Sequence, residues 1–214
     1  MTRLAGLLCV GSLASLAIPQ SSLKYSAKSG ASVGYTVETT ETVSGADGKV
    51  TESKHLKLPI RINVVSPTEL KVVSGPIFTR GRSIGRARTQ TVRLNATQVP
   101  SNYFICLPAN GVSLGQTWKA PFFGGPPLPA GVQATYKFVK IGADKKSADV
   151  QMSITHKAGA DMSGSGLFQI NLQTGFLSSG KANFTLTYSR PDPKNPQKLL
   201  VNSRTKVATV IHKD

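Results

Sequence analysis

Apolar and polar side chains alternate every second residue through much of this chain. The clearest run has an apolar face of Ala148, Val150, Met152 and Ile154 and a polar face of Asp149, Gln151, Ser153 and Thr155. Successive side chains of a β-strand point to opposite faces, so this pattern is typical of a strand with one buried side. The run predicts a half-buried antiparallel strand.

A second alternating run precedes the first, with apolar side chains at Val132, Ala134, Tyr136 and Phe138. The polar and glycine-containing stretch 142–147 lies between the two runs and favours a turn. Two alternating runs joined by a short turn predict a β-hairpin.

The same alternation continues toward the C-terminal end. Residues 168–172 and 184–188 are alternating runs separated by a predicted tight turn at Thr174 and Gly175, and they predict two more strands. The proline-rich stretch 191–196 is predicted to end pairing, because proline cannot donate a hydrogen bond to a ladder. A last strand follows, in which Val201, Val207 and Ile211 share one face with Ser203, Thr205 and Thr209.

The N-terminal half predicts another hairpin, from residues 33–43 and 49–65, interrupted at Pro59. A turn at 66–68 leads into a strand at 69–74. Helical periodicity is nearly absent, with one short turn within residues 93–103 as the only weak candidate. No repeat or linker divides the chain. We expect a single antiparallel all-β domain of about nine or ten strands with at most one short helix, either a barrel or half-barrel or a β-sandwich.

The first residues form a different pattern. Arg3 is the only charge before an apolar stretch that ends in small residues near Ala17, which is typical of a secretory signal peptide. The apolar stretch is shorter than the roughly 20 residues that a spanning helix needs. We therefore expect a signal peptide at 1–17, cleaved after Ala17 or alternatively after Ala14, and a single β-rich domain at 18–214. The localisation would be periplasmic or extracellular.

Cleavage would remove Cys9 and leave Cys106 as the single cysteine, so no intrachain disulfide could form. Cys106 lies between Ile105 and Leu107 and is expected to be a buried small hydrophobe rather than a nucleophile.

The amino-acid composition shows that the chain is strongly basic. The chain has 26 basic and 10 acidic residues and a formal net charge of +16. Such a field attracts anionic polymers without choosing among them. For an exported protein, anionic polymers of the cell envelope are more plausible partners than nucleic acid.

The middle of the chain carries one motif-like segment, in which Leu107-Pro108 is followed after a short spacer by Val112-Ser113-Leu114-Gly115-Gln116-Thr117-Trp118. This segment resembles one found in exported bacterial domains of unknown function, many of them lipoproteins. The resemblance extends in layout over residues 23–211 and implies an all-β exported domain, but it implies no catalytic or binding residues. Lipid anchoring at Cys9 is not expected, because a lipoprotein signal needs a small residue just before the cysteine and Cys9 follows Leu7-Leu8. Cys9 also lies too close to the start of the chain for a full apolar region to precede it.

An aromatic group follows this segment and is the first candidate site. Trp118, Phe122 and Phe123 lie in or next to an unusually apolar loop at 120–129. Exposed apolar surface often marks a binding site, so these residues could line the mouth of a cavity for a lipid or another apolar molecule. The alternative is core packing.

The second candidate site is a basic stretch with four arginines and no acid: Arg80, Arg82, Arg86 and Arg88. The planar guanidinium group suits phosphate and carboxylate, so this stretch is a candidate anion-binding loop. The alternative is a solvated face, and the aromatic residues expected between basic residues in a single-strand nucleic-acid site are missing.

Motifs for chemistry are not found in the sequence. His55, His156 and His212 are widely separated and no pair has metal-ligand spacing. Gly164-Ser165-Gly166 lacks the third glycine of a dinucleotide fingerprint. We expect no cofactor, no metal and no assigned catalytic residue. Three hypotheses follow: a non-enzymatic module that binds an apolar ligand, a structural or interaction protein held to anionic envelope polymers, and a hydrolase as a check.

Overall fold

The computed structural model describes residues 22–26, 28–93, 98–101, 105–108, 110–122, 132–158 and 160–214. The predicted signal peptide at 1–17 lies outside these residues. The described part contains sixteen β-strands and no helix. The strands are β1 Ser22–Leu23, β2 Ser32–Gly45, β3 Val50–Ser66, β4 Glu69–Ser74, β5 Ile77–Thr79, β6 Arg82–Ile84, β7 Arg88–Arg93, β8 Gln98–Ser101, β9 Ile105–Pro108, β10 Val112–Ser113, β11 Thr117–Pro121, β12 Gln133–Ile141, β13 Ser147–Ala158, β14 Ala160–Asn171, β15 Leu177–Asp192 and β16 Asn195–Lys213.

Twelve of these strands form one antiparallel sheet. Its order is β11-β12-β13-β14-β15-β16-β2-β3-β4-β7, and the β5–β6 hairpin pairs with β3 beside this path. Two short sheets, β1–β10 and β8–β9, lie apart from it. The outermost strands β11 and β7 do not pair with each other, so the sheet is not closed into a barrel.

The buried apolar side chains of the large sheet gather on one face, which we call the inner face. On the outermost strand β7 only Val92 packs against this core among the described side chains, and the far ends of β2 and β3 extend beyond it. Leu70 and Val72 of β4 belong to the same buried cluster as Phe138 of β12, although six strands separate β4 from β12 in the sheet order. Leu23 of β1 and Leu107 of β9 join this cluster from the two short sheets. The sheet therefore curves around one core, and the short strands cover part of that core. The prediction of an all-β antiparallel domain is confirmed.

Glycine opposite phenylalanine lets the central strands pack closely. Gly164 of β14 is the cross-strand partner of Phe184 of β15, and Phe168 of β14 is the partner of Gly180 of β15. A Cβ atom on Gly164 would collide with Phe184 Cδ1 and lie 2.7 Å from the Asn183 carbonyl oxygen. The glycines thus leave room for aromatic rings that cover the strand backbone.

The predicted hairpins are present as β12–β13, β14–β15 and β2–β3. The expected interruption at Pro59 is wrong, because β3 continues through it opposite Thr36. The Pro59 carbonyl accepts a hydrogen bond from Gly75 N at 2.8 Å. The backbone nitrogen and carbonyl of one strand residue point the same way, so the missing N–H faces away from β2.

Pairing also continues through the proline-rich stretch, where Pro191 lies opposite Leu199 and Asp192 opposite Asn195. The prediction that proline ends pairing there is wrong. The last pair given for β14 and β15 is Asp161 with Thr187, so Pro191 lies in a part of β15 that pairs with β16 only, and such an edge position tolerates proline.

The strand count was underestimated. Six strands of two to four residues, namely β1, β5, β6, β8, β9 and β10, are too short for a detectable period. Within the stretch 93–103, Arg93 ends β7 and residues 98–101 form β8. The remaining residues of that stretch lie outside the described part, so the short helical turn considered there stays a prediction.

Candidate functional site

The aromatic candidates lie along the inner-face side of β11. Trp118 is half-buried and is the cross-strand partner of Tyr136 on β12. The two rings stack with centroids 5.4 Å apart and planes inclined by 21°. Trp118 therefore lies at the rim of the core rather than free in solution.

Phe122 follows on the same side and is buried, with 6% of its surface exposed. Its ring lies 5.1 Å from that of Phe184, and its backbone N donates a 2.7 Å hydrogen bond to the Val132 carbonyl. This bond closes the base of the apolar loop. Phe123 lies outside the described residues, so only Trp118 and Phe122 of the predicted group can be placed. Phe122 packs in the core, as the alternative interpretation of the aromatic group had it, and Trp118 lies at the rim of the core.

Cys106 belongs to β9, but its side chain lies outside what the structure describes. Its neighbours Ile105 and Leu107 are both buried. The expectation of a buried Cys106 stays a prediction.

Two tyrosines, which the sequence analysis did not single out, lie near another edge of the core. Tyr35 of β2 donates a 3.1 Å hydrogen bond to the Leu177 carbonyl, and burial raises its pKa. Tyr25 packs edge-on against Phe176 with centroids 5.5 Å apart. The Tyr25 hydroxyl oxygen is buried without a hydrogen-bond partner, and this desolvation raises its pKa. These hydroxyls are polar groups in a mostly apolar surrounding.

Segment 22–26, which carries Tyr25, is held against the turn between β14 and β15. Ser26 N donates a 3.2 Å hydrogen bond to the Thr174 carbonyl, and the Ser26 hydroxyl donates to the Gln173 carbonyl. Gly175 has a φ of +75°, and a Cβ there would lie 2.8 Å from the Lys24 carbonyl oxygen. The predicted turn at Thr174 and Gly175 is confirmed, and segment 22–26 packs against this turn.

The four arginines are all exposed and lie in or just after the β5–β6 hairpin. Arg80 and Gly81 form its turn, with φ values of 48° and 75°. Arg82 begins β6, Arg86 follows the hairpin, and Arg88 begins β7 opposite Ser74. Three large apolar side chains of the same hairpin are also exposed, namely Ile77, Phe78 and Ile84. The sequence analysis found the basic residues but missed these apolar neighbours.

A groove of about 620 Å³ lies on the opposite, outer face of β11 to β15. Lys137 and Lys181 flank the exposed Leu167, and the hydroxyl and amide side chains of Thr135, Gln151, Ser153 and Asn183 surround them. These residues belong to four strands, β12 to β15, and meet only through the cross-strand register, so the groove could not be predicted from the sequence.

The histidines lie on β3, β13 and β16, and no two of these strands are neighbours in the sheet. His55 contacts Thr40 Oγ1 at 3.2 Å. Within the described residues, no group of three or more His, Cys, Asp and Glu side chains could hold a metal ion. The same residues include no helix long and apolar enough to cross a membrane.

Comparison of the sequence with protein-family models and with curated proteins finds no match. Among solved structures, the chain is similar to lipovitellin, in a structure that concerns lipid–protein interactions, with a TM-score of 0.52 and 11% identity. The match covers 88% of this chain and 25% of that one, so the chain spans only a quarter of its relative.

A second match is a candidate exported protein with a YMCC-like fold from Bacteroides fragilis, at 9% identity and a TM-score of 0.26, covering 87% of this chain and 97% of that one. That likeness is too weak to support an argument. The resemblance of the Leu107–Trp118 region to exported bacterial domains stays an expectation. What the comparisons establish is a fold: an open, curved antiparallel sheet similar to part of lipovitellin.

Proposed function

We propose that the protein is a non-enzymatic, exported protein of the cell envelope that holds a lipid or other apolar molecule against the inner face of its curved sheet. The observation that carries this proposal is the large apolar core on the inner face of a sheet whose two outermost strands do not pair with each other. A face of this kind is covered by short strands rather than sealed by a ladder of hydrogen bonds. An apolar guest could therefore enter between the sheet and its cover without breaking the main sheet.

The residues at the edges of the core suit an amphipathic guest. Half-buried Trp118 offers aromatic surface on β11, and the buried Phe122 lies just after this strand, where the apolar loop begins. The buried Tyr25 hydroxyl could bond a polar group of the guest, which would remove the cost of leaving a buried hydroxyl unpaired. The fold shared with part of lipovitellin, a protein studied for its lipid interactions, supports the same class of ligand.

Export is part of the proposal. Residues 1–17 would be removed after Ala17, and the domain at 18–214 would act in the periplasm or outside the cell. N-terminal sequencing of the protein recovered from its host tests this step, and an N-terminus at Ile18 is expected. A mature protein that still begins at Met1 would contradict it.

The ligand is tested by native mass spectrometry of protein purified from its own host, before and after organic extraction. We expect a bound mass that extraction removes and that the extracted lipid restores. Trp118 is the only tryptophan in the chain, so its fluorescence should change when the lipid returns. A clean mass for the protein alone, with no fluorescence response to added lipid, would refute the proposal.

A matched pair of variants locates the ligand. Phe122→Leu alters the inner face next to the loop, whereas Leu167→Ala alters exposed apolar surface on the outer face. We expect weaker lipid retention in the first variant only. Equal retention in both would place any bound lipid away from the inner face.

A further inference from the structure

The β5–β6 hairpin carries both exposed apolar side chains and exposed arginines. It is attached to the large sheet only through pairs with β3, where Lys57 lies opposite Phe78. Ile77 and Ile84 are cross-strand partners on one face of the hairpin, and Phe78 points to the other face. They are 37%, 46% and 37% exposed, respectively. Apolar side chains are therefore accessible on both faces of this short hairpin.

This clustering is unusual within the described part of the chain. The other large apolar side chains exposed there are Val50, Val65, Leu114 and Leu167. They are scattered, because Val50 and Val65 lie at opposite ends of β3, Leu114 lies in a turn and Leu167 lies on β14. Single exposed apolar residues are normal, whereas a contiguous group marks an interaction site. The hairpin is the place where such residues adjoin one another.

The charged side chains of the hairpin and of the residues that follow it up to Arg93 are all basic. Arg80, Arg82, Arg86 and Arg88 are exposed, and no acidic residue occurs between Glu69 and Asp144 in the sequence. The ion pairs found among the described residues join Lys49 to Asp47, Lys54 to Glu52 and Lys57 to Glu38, and they involve none of these arginines. The positive charge of the hairpin is thus not neutralised locally by an ion pair of this kind.

We infer that this hairpin docks the protein on the surface of an anionic lipid bilayer. Guanidinium groups bind lipid phosphates in a planar, bidentate manner. Basic residues that surround apolar side chains are the combination that binds the interface between head groups and acyl chains. A soluble acidic polymer would use the arginines but would gain little from Ile77, Phe78 and Ile84. The inference goes beyond the proposed function, because docking needs no bound lipid on the inner face.

The test uses mature protein freed of lipid by extraction and sedimented with vesicles of phosphatidylcholine, with or without phosphatidylglycerol. We expect binding only to the vesicles that contain phosphatidylglycerol. Changing all four arginines to glutamine should weaken this binding by about 100-fold or more, since each basic residue near an anionic surface contributes roughly fivefold. The control variant changes Lys119, Lys137, Lys157 and Lys181 to glutamine, which removes the same charge from the outer face of the sheet. Its binding should fall by less than about tenfold, because charges farther than a Debye length from the membrane are screened.

A second variant separates a bilayer from an acidic polymer. Ile77→Ser, Phe78→Ser and Ile84→Ser together keep every charge, and we expect at least a tenfold loss of vesicle binding. Unchanged binding by this variant would show that charge alone holds the protein, and would overturn the inference in favour of an anionic polymer. Equal affinity of the unaltered protein for a soluble acidic polysaccharide, compared per charge, would also overturn it.

Insertion can be read directly even if the triple variant folds poorly. Trp118→Phe combined with Phe78→Trp places the only indole on the hairpin, and brominated acyl chains should quench its fluorescence. Trp118→Phe combined with Leu167→Trp is the matched control on the outer face and should not be quenched. Quenching in neither protein would refute docking through the hairpin. Because all proteins are free of lipid at the start, failure of docking leaves the proposed lipid binding to be judged by mass spectrometry alone.

Discussion

Replacing Gly164 by alanine tests whether close packing of glycine against phenylalanine stabilises the central strands. The new methyl group would collide with the Phe184 ring and lie 2.7 Å from the Asn183 carbonyl oxygen. Phe184 is 4% exposed and packs against Phe122, so its ring has little room to move. The carbonyl belongs to a strand between two partners and cannot yield cheaply either.

The expected loss combines two opposing effects. Overpacking a well-filled core costs about 1–3 kcal/mol. Alanine also restricts the unfolded chain more than glycine does, which stabilises the folded state by about 0.4–1 kcal/mol. We expect a net loss near 1.5 kcal/mol in the free energy of unfolding, which for a domain of this size lowers Tm by about 3–6 °C.

Urea unfolding followed by circular dichroism and by Trp118 fluorescence measures this loss. Gly45→Ala is the control, because its added Cβ would meet only the flexible Asp47 side chain, at 3.1 Å. It should change stability by less than about 0.5 kcal/mol, as surface substitutions usually do. Combining Gly164→Ala with Phe184→Leu should cost less than the sum of the two single changes, because the smaller side chain relieves the collision. Full stability of Gly164→Ala, or strict additivity of the double variant, would refute the steric argument.

Three further changes test local contacts. Tyr25→Phe should leave the free energy of unfolding unchanged or raise it by about 1 kcal/mol, because it removes an unpaired buried hydroxyl. Tyr35→Phe should lower it by about 1 kcal/mol, because it deletes a hydrogen bond. Equal losses for the two variants in urea unfolding would contradict this. The backbone N–H of Lys146, followed by the Ser147 hydroxyl, lowers the pKa of Asp144 below its ordinary value of 3.8, so its stabilising effect is present above that pH and lost as pH falls through the lowered pKa. Asp144→Asn should therefore flatten the acid side of the stability curve, and an unshifted Asp144 pKa in an NMR titration would count against it. Gly175→Ala should lower the free energy of unfolding by about 1–2 kcal/mol for the left-handed backbone alone. It should also increase hydrogen exchange in segment 22–26, and unaltered exchange there would argue against the contact between that segment and the turn.

The long strands could be predicted from the sequence because burial on one face imposes a period of two on them. The run from Ala148 to Ile154 shows this period, and its apolar members are all buried. Pro59 and Pro191 misled the prediction, because a proline is tolerated wherever its nitrogen faces out of a ladder. That direction depends on which strands lie alongside, and the local sequence does not contain this information.

The candidate surfaces also differ in how far the sequence could predict them. The exposure of Arg80 and its neighbours follows from local composition, so the sequence identified the basic stretch. The outer-face groove requires Lys137 and Lys181 to be brought together by three intervening strand pairings. The exposed Ile77, Phe78 and Ile84 lie on two strands of three residues each. Strands this short show no period that could distinguish a surface hairpin from a buried strand.

The pairing of β16 with β2 also has a consequence for how the protein folds. The strands from β2 to β7 and those from β11 to β16 can each form from neighbours in sequence, but Val37 and Ile211 meet only when the last strand is available. Contacts between residues so far apart in sequence slow folding, because the chain must lose loop entropy before they form. We expect the joining of these two halves to limit the folding rate, so a newly made chain would stay incompletely folded until its last strand pairs with β2.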